Sequence, residues 1–497
     1  MKLLKEIVAK QDKLLKILAW AIIGLGILLR IAVYLQNRNL FIDEANLARN
    51  IYERGFLELL HPLDYEQYAP PIFLWILKIS TLLFGYSEYA FRIYPLLAGI
   101  GTLFVLYLIL KEMTSFKSMW YPLFLMATAF MFIKFSSELK QHGCDMFMVL
   151  LLVLLTLKTD ILKTAQRKFI LLWCIAGSVA IWLSMPSVFM LAGAGISYMY
   201  TAVRKKDIKK IFSVVVIGAV WIVQFLFYYF TMLKQQANSD YIQSTLNDYF
   251  IYLLPNGKEQ MMHNWYLFRN ILMLVAGGTF LAWFFSFVLF VTAAVSLLIK
   301  NTARALLLIL PVFFTFLAAG FHQYAILERY ILFLTPLIII LIGYGFEVLL
   351  RLRFAVTKVL LVIVAVICAK NNNKIELLYR PHKFEQITDE FIFLKKNHIS
   401  GSQLYVNHSA RPAFIYYLQI HPQRQEWAQF KGAHMPGWQV NYDSLASHIN
   451  GRVAFIYTAL STEELANYRN ILEKHLKLET FMQEDDGRRY AYIYNKP

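Results

Sequence analysis

The sequence predicts a polytopic α-helical membrane protein, with about eleven transmembrane helices over residues 1–370, followed by a small soluble α/β domain over residues 371–497. Three observations predict it. Of 497 residues, 58% are hydrophobic and only 16% charged, too few charges to clothe a soluble globule of this length. Apolar runs of the length that a bilayer demands recur through the first three quarters of the chain, separated by short segments rich in Lys and Arg. After residue 371 the pattern changes to short strand-like and helix-like stretches divided by turn residues.

Taken in order, Lys2, Lys5, Lys10, Lys13 and Lys16 place the N-terminus in the cytoplasm and send span 1 (17–35) outward. No small-residue cleavage site follows that span, so it reads as an uncleaved helix. A first outer loop over 36–90 contains Ile72–Phe84, apolar but too short to cross, which reads as an interfacial or re-entrant helix after Pro70-Pro71. Span 2 (91–110) returns to Lys111 and Lys117. Span 3 (119–135) leads out to Ser136–Gly143, and span 4 (144–158) returns to Lys158, Lys163, Arg167 and Lys168. Spans 5 (169–184) and 6 (187–203) come back to the most basic loop, Arg204–Lys210. Span 7 (211–231) opens a long outer loop over 232–270. Spans 8 (271–299), 9 (305–320), 10 (330–350) and 11 (355–369) complete the bundle, with spans 3–6 open to merging or splitting. Every strongly basic short loop then lies inside, as the alternation requires. The expected location is the plasma (inner) membrane, with the tail outside the cytoplasm.

In the tail, helices are expected at Lys383–Asn397, Ala410–Leu418 and Ser461–His475. Strands are expected at Gln403–Asn407, Arg452–Thr458, Leu476–Met482 and Arg489–Tyr494. No Gly-rich phosphate loop or nucleotide fingerprint occurs there.

The net charge of +17 does not point to nucleic acid, because many of the cations sit between apolar spans, where they record orientation. Cys144, Cys174 and Cys368 fall in or beside apolar spans without Cys-x-x-Cys spacing, which argues against a disulfide framework or structural zinc. His142, His263 and His322 show no ligand spacing, so no metal is expected, although a divalent ion stays open.

The stretch that organises the rest is Phe41-Ile42-Asp43-Glu44-Ala45, directly after span 1. Asp43 and Glu44 fall where a membrane helix ends, so a carboxylate there is placed to take a proton from a water-borne acceptor while a lipid donor stays in the bilayer. The plainer reading is that Asp43 caps a helix from Glu44 to Tyr52 and Glu44 is solvated. On the expected topology, Asp43, Glu44, Glu66, Arg92, Glu138, Lys140, Asp145 and Arg329 all lie at outer span ends, where isolated charges are costly unless paired or functional. A mixed acid and base cleft is the expectation. The alternatives are snorkelling for Arg92 and Arg329, solvated loop charges for Glu138 and Lys140, and a helix cap for Asp145.

The order of these motifs resembles the polytopic GT-C glycosyltransferases, in particular the dolichyl-phosphate-mannose–protein mannosyltransferase (family 39) type and its bacterial aminoarabinose and lipopolysaccharide-core transferase relatives. The residues that carry the likeness are Asp43-Glu44-Ala45, Tyr68–Trp75 around Pro70-Pro71, Phe84–Pro95, Ser137–Lys140 with Asp145, and Glu328-Arg329-Tyr330 followed by Pro336. The likeness covers residues 1–350 and hardly touches the tail. It implies transfer of one sugar from a polyprenyl-phosphate carrier to a lipid, glycan or protein acceptor, with Asp43 as base and Glu44 beside it. Glu138 or Asp145 matches the second acidic position, and Arg329 and Tyr330 match the late motif near the carrier phosphate. Some relatives carry Lys immediately before the double proline; here it is Ala69, so Lys140, Arg92 or Arg329 has to supply the positive charge.

Two other functions fit a chain of this kind. A transporter or flippase typically shows inverted repeats and charges near the bilayer midplane, whereas here the charges gather at outer ends and neither half repeats the other. A polysaccharide polymerase or ligase shares the enzyme class but uses a diphosphate-linked oligosaccharide.

Overall fold

A computed structural model of the protein describes residues 2–234, 244–380, 385–437, 440–484 and 489–497. The described chain divides into two compact units, and they do not follow chain order. One comprises Met1–Tyr34, Ala69–Phe73 and Tyr94–Tyr379; the other comprises Leu35–Tyr68, Leu74–Ile93 and Arg380–Pro497. The division near residue 380 falls close to the boundary read at 370/371, but most of the first outer loop groups with the tail and not with the helical bundle.

Eight described helices are long and apolar enough to cross a membrane: Lys10–Leu35, Glu88–Met113, Gln166–Leu183, Ile208–Leu233, Phe280–Lys300, Thr302–Gly320, Ile331–Leu350 and Ala355–Leu378. They coincide with expected spans 1, 2, 5, 7, 8, 9, 10 and 11. Expected spans 4 and 6 form α-helices, His142–Lys158 of 17 residues and Ser187–Arg204 of 18, which fall short in length or in apolar character. We label the first helices α1 (Lys2–Leu35), α2 (Ile42–Glu53), α3 (Pro71–Phe84), α4 (Glu88–Met113), α5 (Phe116–Thr128), α6 (Phe130–Lys134) and α7 (His142–Lys158).

Expected span 3 is corrected to two helices, α5 and α6, with Ala129 extended between them (φ −72°, ψ 140°). The cause is where the last carbonyls of α5 find partners. Arg30, buried in α1, donates from Nη2 to Met126 O at 2.9 Å and from Nη1 to Ala127 O at 3.2 Å. The Lys374 N–H donates to Thr128 O at 2.9 Å. A cation on the negative end of a helix stabilises that end, so Arg30 both pairs its charge and stops α5. Expected span 8 is also corrected: Lys258–Ala276 and Phe280–Lys300 are separate helices, because Gly277 takes φ +97°, a conformation open to glycine and closed to most side chains.

Within this unit Ile331–Leu350 is the central helix. Of its apolar window 89% is buried, against 17% for Ala355–Leu378, and a helix apolar on every side belongs inside a bundle. Gly345 lets it approach Phe280–Lys300, since a Cβ there would lie 2.0 Å from Leu289 O; small residues at such crossings are how membrane helices pack closely. Gly345→Ala is therefore expected to lower thermal stability by about 1–3 kcal/mol through forced helix separation. Gly218→Ala, where nothing lies within 4 Å of the added carbon, is the control and leaves stability unchanged or slightly raised.

The second unit is built on a four-stranded sheet, β1 (Leu404–Val406), β2 (Val453–Thr458), β3 (Lys477–Glu484) and β4 (Arg489–Asn495), in the order β1-β2-β4-β3. The β1–β2 pair is parallel and the other two pairs antiparallel. Phe455, Tyr457, Tyr490, Tyr492 and Tyr494 form one core with Tyr442, Leu465 and Leu472. On the Ile387–Lys396 helix, Phe391 packs against Phe414, Trp427 and Phe430 with ring centroids 5.6, 5.2 and 5.3 Å away. All six residues of β2 are buried, which is why it reads as a continuous apolar run without alternation. The expected tail elements appear with ends shifted by a few residues: β3 and β4 run past their expected ends, the start of the expected Lys383–Asn397 helix lies outside the described residues, and the helix Tyr442–His448 is additional.

The same unit contains α2 and most of α3. Lys78 on α3 donates to Ile51 O at 2.7 Å, a cation at the carbonyl end of α2. Trp75 Nε1 donates to Phe56 O at 2.8 Å. At 14 residues, α3 is too short to cross a bilayer, and it leaves Ile79, Leu82, Leu83 and Phe84 exposed.

Candidate functional site

The sequence candidates fall into two groups, one in each compact unit. In the second unit, Asp43 is the second residue of α2 and half-buried, and Glu44, the third, is 0% exposed. Helix α2 begins at Ile42, so Asp43 stands inside the first turn and is not its cap. Carboxylates favour that turn because they face the positive end of the helix.

Glu44 is held between two guanidiniums. Arg92 donates from Nη2 to Oε2 at 2.8 Å and from Nε to Oε1 at 3.2 Å; Arg38 donates from Nη1 to Oε2 at 3.0 Å and from Nη2 to Oε1 at 3.4 Å. Arg92 also donates to the carbonyls of Arg38 and Asn39. The plain reading of Glu44 as a solvated charge is therefore corrected: in this fold it is a buried anchor. Both its oxygens are engaged, and it fastens the turn that presents Asp43. Arg92, 2% exposed, does not snorkel, and its donors are spent on Glu44 and two carbonyls.

The chain ahead of α2 has no regular structure of its own, and residues of the tail accept from the N–H groups of Asn39, Leu40 and of Ile42, the first residue of the helix. Asn39 N donates to Gln386 Oε1 at 3.0 Å, Leu40 N to Tyr417 Oη at 3.1 Å and Ile42 N to Glu385 Oε2 at 3.2 Å. Thr388 donates from both N and Oγ1 to Asn39 Oδ1 at 2.9 Å. Tyr417 in turn donates to Glu88, which also meets His421 Nε2 at 3.0 Å. Glu385 is 2% exposed. Burial pushes its carboxyl up to about 7; Asp43 and Glu44 push it the same way, while the Ile42 N–H and Arg38 oppose them.

Sequence reasoning missed Arg38, Glu385, Tyr417 and His421. Arg38 stands in the Asn37-Arg38-Asn39 turn next to the motif, a signal that was available. Glu385 and Tyr417 lie more than 300 positions from Asp43, and nothing local marks them.

In the first unit, Glu138, Lys140 and Asp145 are 2%, 7% and 4% exposed, so solvated loop charges are ruled out for Glu138 and Lys140. Lys134 pairs with Glu138 at 3.4 Å. His142, the first residue of α7, places its ring 5.7 Å from Tyr330. Arg329 holds its guanidinium 5.3 Å from the Tyr330 ring centre, and Tyr324 Oη donates to Tyr330 O at 2.7 Å. The Tyr324 hydroxyl is pushed well above its ordinary range by burial first, then by the Asp145 carboxyl and Tyr330. The second acidic position and the late Arg-Tyr motif, more than 180 residues apart in sequence, thus meet around Tyr324 and Tyr330. Among the described residues no three His, Cys, Asp or Glu side chains gather as a metal-binding group.

With that geometry in place, four similarities inform it. A family model described as dolichyl-phosphate-mannose-protein mannosyltransferase matches residues 68–229. The crystal structure of ArnT from Cupriavidus metallidurans bound to undecaprenyl phosphate superposes with a TM-score of 0.53 at 14% identity, covering 96% of this chain and 97% of that one. Its apo form gives 0.51 at 13% identity, covering 98% of both. An uncharacterised protein of Aquifex aeolicus is 26% identical over 185 residues, 36% of this chain and 36% of that relative's length. At such identities the structural likeness establishes the fold. The chain is a polytopic membrane protein with an ArnT-like fold, and it resembles the GT-C glycosyltransferases of the protein mannosyltransferase and ArnT type.

Proposed function

We propose that the protein is an inverting glycosyltransferase that moves a single sugar from a polyprenyl-phosphate carrier to a lipid, glycan or protein acceptor outside the cytoplasm. The observation that carries this reading is Asp43, a half-buried carboxylate at the start of α2 whose supporting turn has its polar groups satisfied by buried partners. It stands in a chain whose fold is that of ArnT, a protein seen with undecaprenyl phosphate. A carboxylate on a turn held by buried, hydrogen-bonded neighbours has the preorganisation that a catalytic base needs.

In this reading Asp43 removes the proton from the acceptor, whose freed electron pair attacks the anomeric carbon as the bond to the phosphate oxygen breaks. Attack from the opposite face inverts the anomeric centre, and polyprenyl phosphate leaves as an anion. Arg329 and Lys140 balance that anion without a divalent ion, the role of fixed charge in transition-state stabilisation. Tyr330 orients Arg329, and Glu138 or Asp145 is the second acidic group in this reading. The N-terminus is cytoplasmic in this reading, and α2 and the tail are outside.

The test is the mass of envelope lipids and glycans from cells with and without the gene. One missing residue mass on one class identifies sugar and acceptor together; identical profiles under conditions of normal expression overturn the reading. The donor side has its own check. Arg329→Ala is expected to weaken polyprenyl-phosphate binding by the purified protein by about 2–5 kcal/mol. Arg329→Lys should recover only part, since an ammonium cannot supply two parallel hydrogen bonds to phosphate. Unchanged donor affinity with a lowered melting temperature moves the phosphate to Lys140, because Arg92 is already committed to Glu44.

A further inference from the structure

We propose that Glu385 is a positioning residue for Asp43 and that the tail serves the reaction by holding the segment 39–42 from which Asp43 projects. The inference rests on Asp43 being the base, as proposed above.

It stands on hydrogen-bond accounting. Buried backbone N–H groups must find acceptors, and neither an irregular segment nor the first residue of a helix has one within itself. The N–H groups of Asn39, Leu40 and Ile42 are met by Gln386, Tyr417 and Glu385, and Arg92 takes up the carbonyls of Arg38 and Asn39. All belong to one compact unit, so the fastening runs within one body. Ile42 is the residue next to Asp43, which makes Glu385 the tail side chain whose acceptor atom lies nearest the base along the chain. Its own backbone takes φ +46°, a costly conformation for a residue with a Cβ, and the kind that persists where surroundings impose it.

Among the described residues, the charged groups that act on Glu385 are Asp43 and Glu44 on α2 and Arg38 ahead of it, and Glu385 acts in turn on Glu390 one turn into the next helix. Since Glu385 ionises near neutrality, raising the pH through that range sets an anion beside Asp43 and strengthens it as a base. Transfer efficiency therefore rises through neutral pH.

The experiment uses the full chain in nanodiscs and compares Glu385→Ala and Glu385→Gln with the wild type in two readouts. Hydrogen exchange over residues 38–45 requires no activity. Glu385→Ala is expected to speed it, and Glu385→Gln, whose amide oxygen still accepts from Ile42, to keep it near wild type. Where transfer is measured, Glu385→Ala is expected to lower kcat by about 10- to 100-fold with donor affinity unchanged. Glu385→Gln restores kcat at neutral pH but loses the rise of kcat/KM through neutrality. Wild-type exchange and kcat in Glu385→Ala overturn the proposal, as does an unaltered pH profile in Glu385→Gln. If Glu385→Ala does not fold, the exchange and pH profile of Glu385→Gln decide alone. Failure of the base assignment looks different: Asp43→Asn would then stay active while the exchange result for Glu385→Ala still stands.

Discussion

Asp43→Asn is expected to slow transfer by about 10²- to 10⁴-fold, the range that general acid–base catalysis typically contributes, while donor affinity and melting temperature stay at wild-type values. The amide preserves the shape of the side chain but cannot accept the acceptor's proton. Stability is spared for a structural reason: the turn that carries Asp43 is fastened by Glu44, Arg38, Arg92 and the tail. A single-turnover assay with purified protein and a polyprenyl-phosphate sugar measures the effect. Near-wild-type turnover would take the base away from Asp43, and it could not pass to Glu44, whose oxygens are enclosed by two guanidiniums.

Glu44→Ala is expected to be the most damaging substitution for the fold, costing about 3–5 kcal/mol, because it leaves two buried guanidiniums without their anion. Arg92→Ala should cost a similar amount, since it strands Glu44 at 0% exposure and frees the carbonyls of Arg38 and Asn39. Arg92→Lys recovers only a fraction, because one ammonium cannot span both carboxylate oxygens and two carbonyls. The check is thermal unfolding in detergent with activity measured on the same samples: activity falls in step with the folded fraction. An Arg92→Ala protein that melts like wild type but is inactive would instead place Arg92 on the donor phosphate.

Some parts of this protein were legible along the chain because they depend on local composition. Eight spans announce themselves by length and apolarity, and the tail strands and helices appear near their expected places because period and turn residues act over a few positions. The interruptions escaped. Nothing local at Thr128 stops a helix; it ends there because Arg30 in another helix and the Lys374 N–H take its carbonyls. Gly277 was a visible signal inside span 8, but a lone glycine in a helical pattern is usually tolerated.

The sequence by itself determined the class of the molecule, a multi-span membrane protein with an α/β tail, and it singled out Asp43 as the candidate base, because hydropathy and motif order are properties of neighbouring residues. Only the tertiary structure decided what stands around that carboxylate. Glu44 proved an enclosed anchor, most of the first loop joined the tail in one compact unit, and Glu385, some 340 positions away, came to hold the neighbouring N–H. The physical reason is that a buried charge or an irregular backbone segment must be satisfied wherever a partner can reach it in space, and that demand places no constraint on distance along the chain.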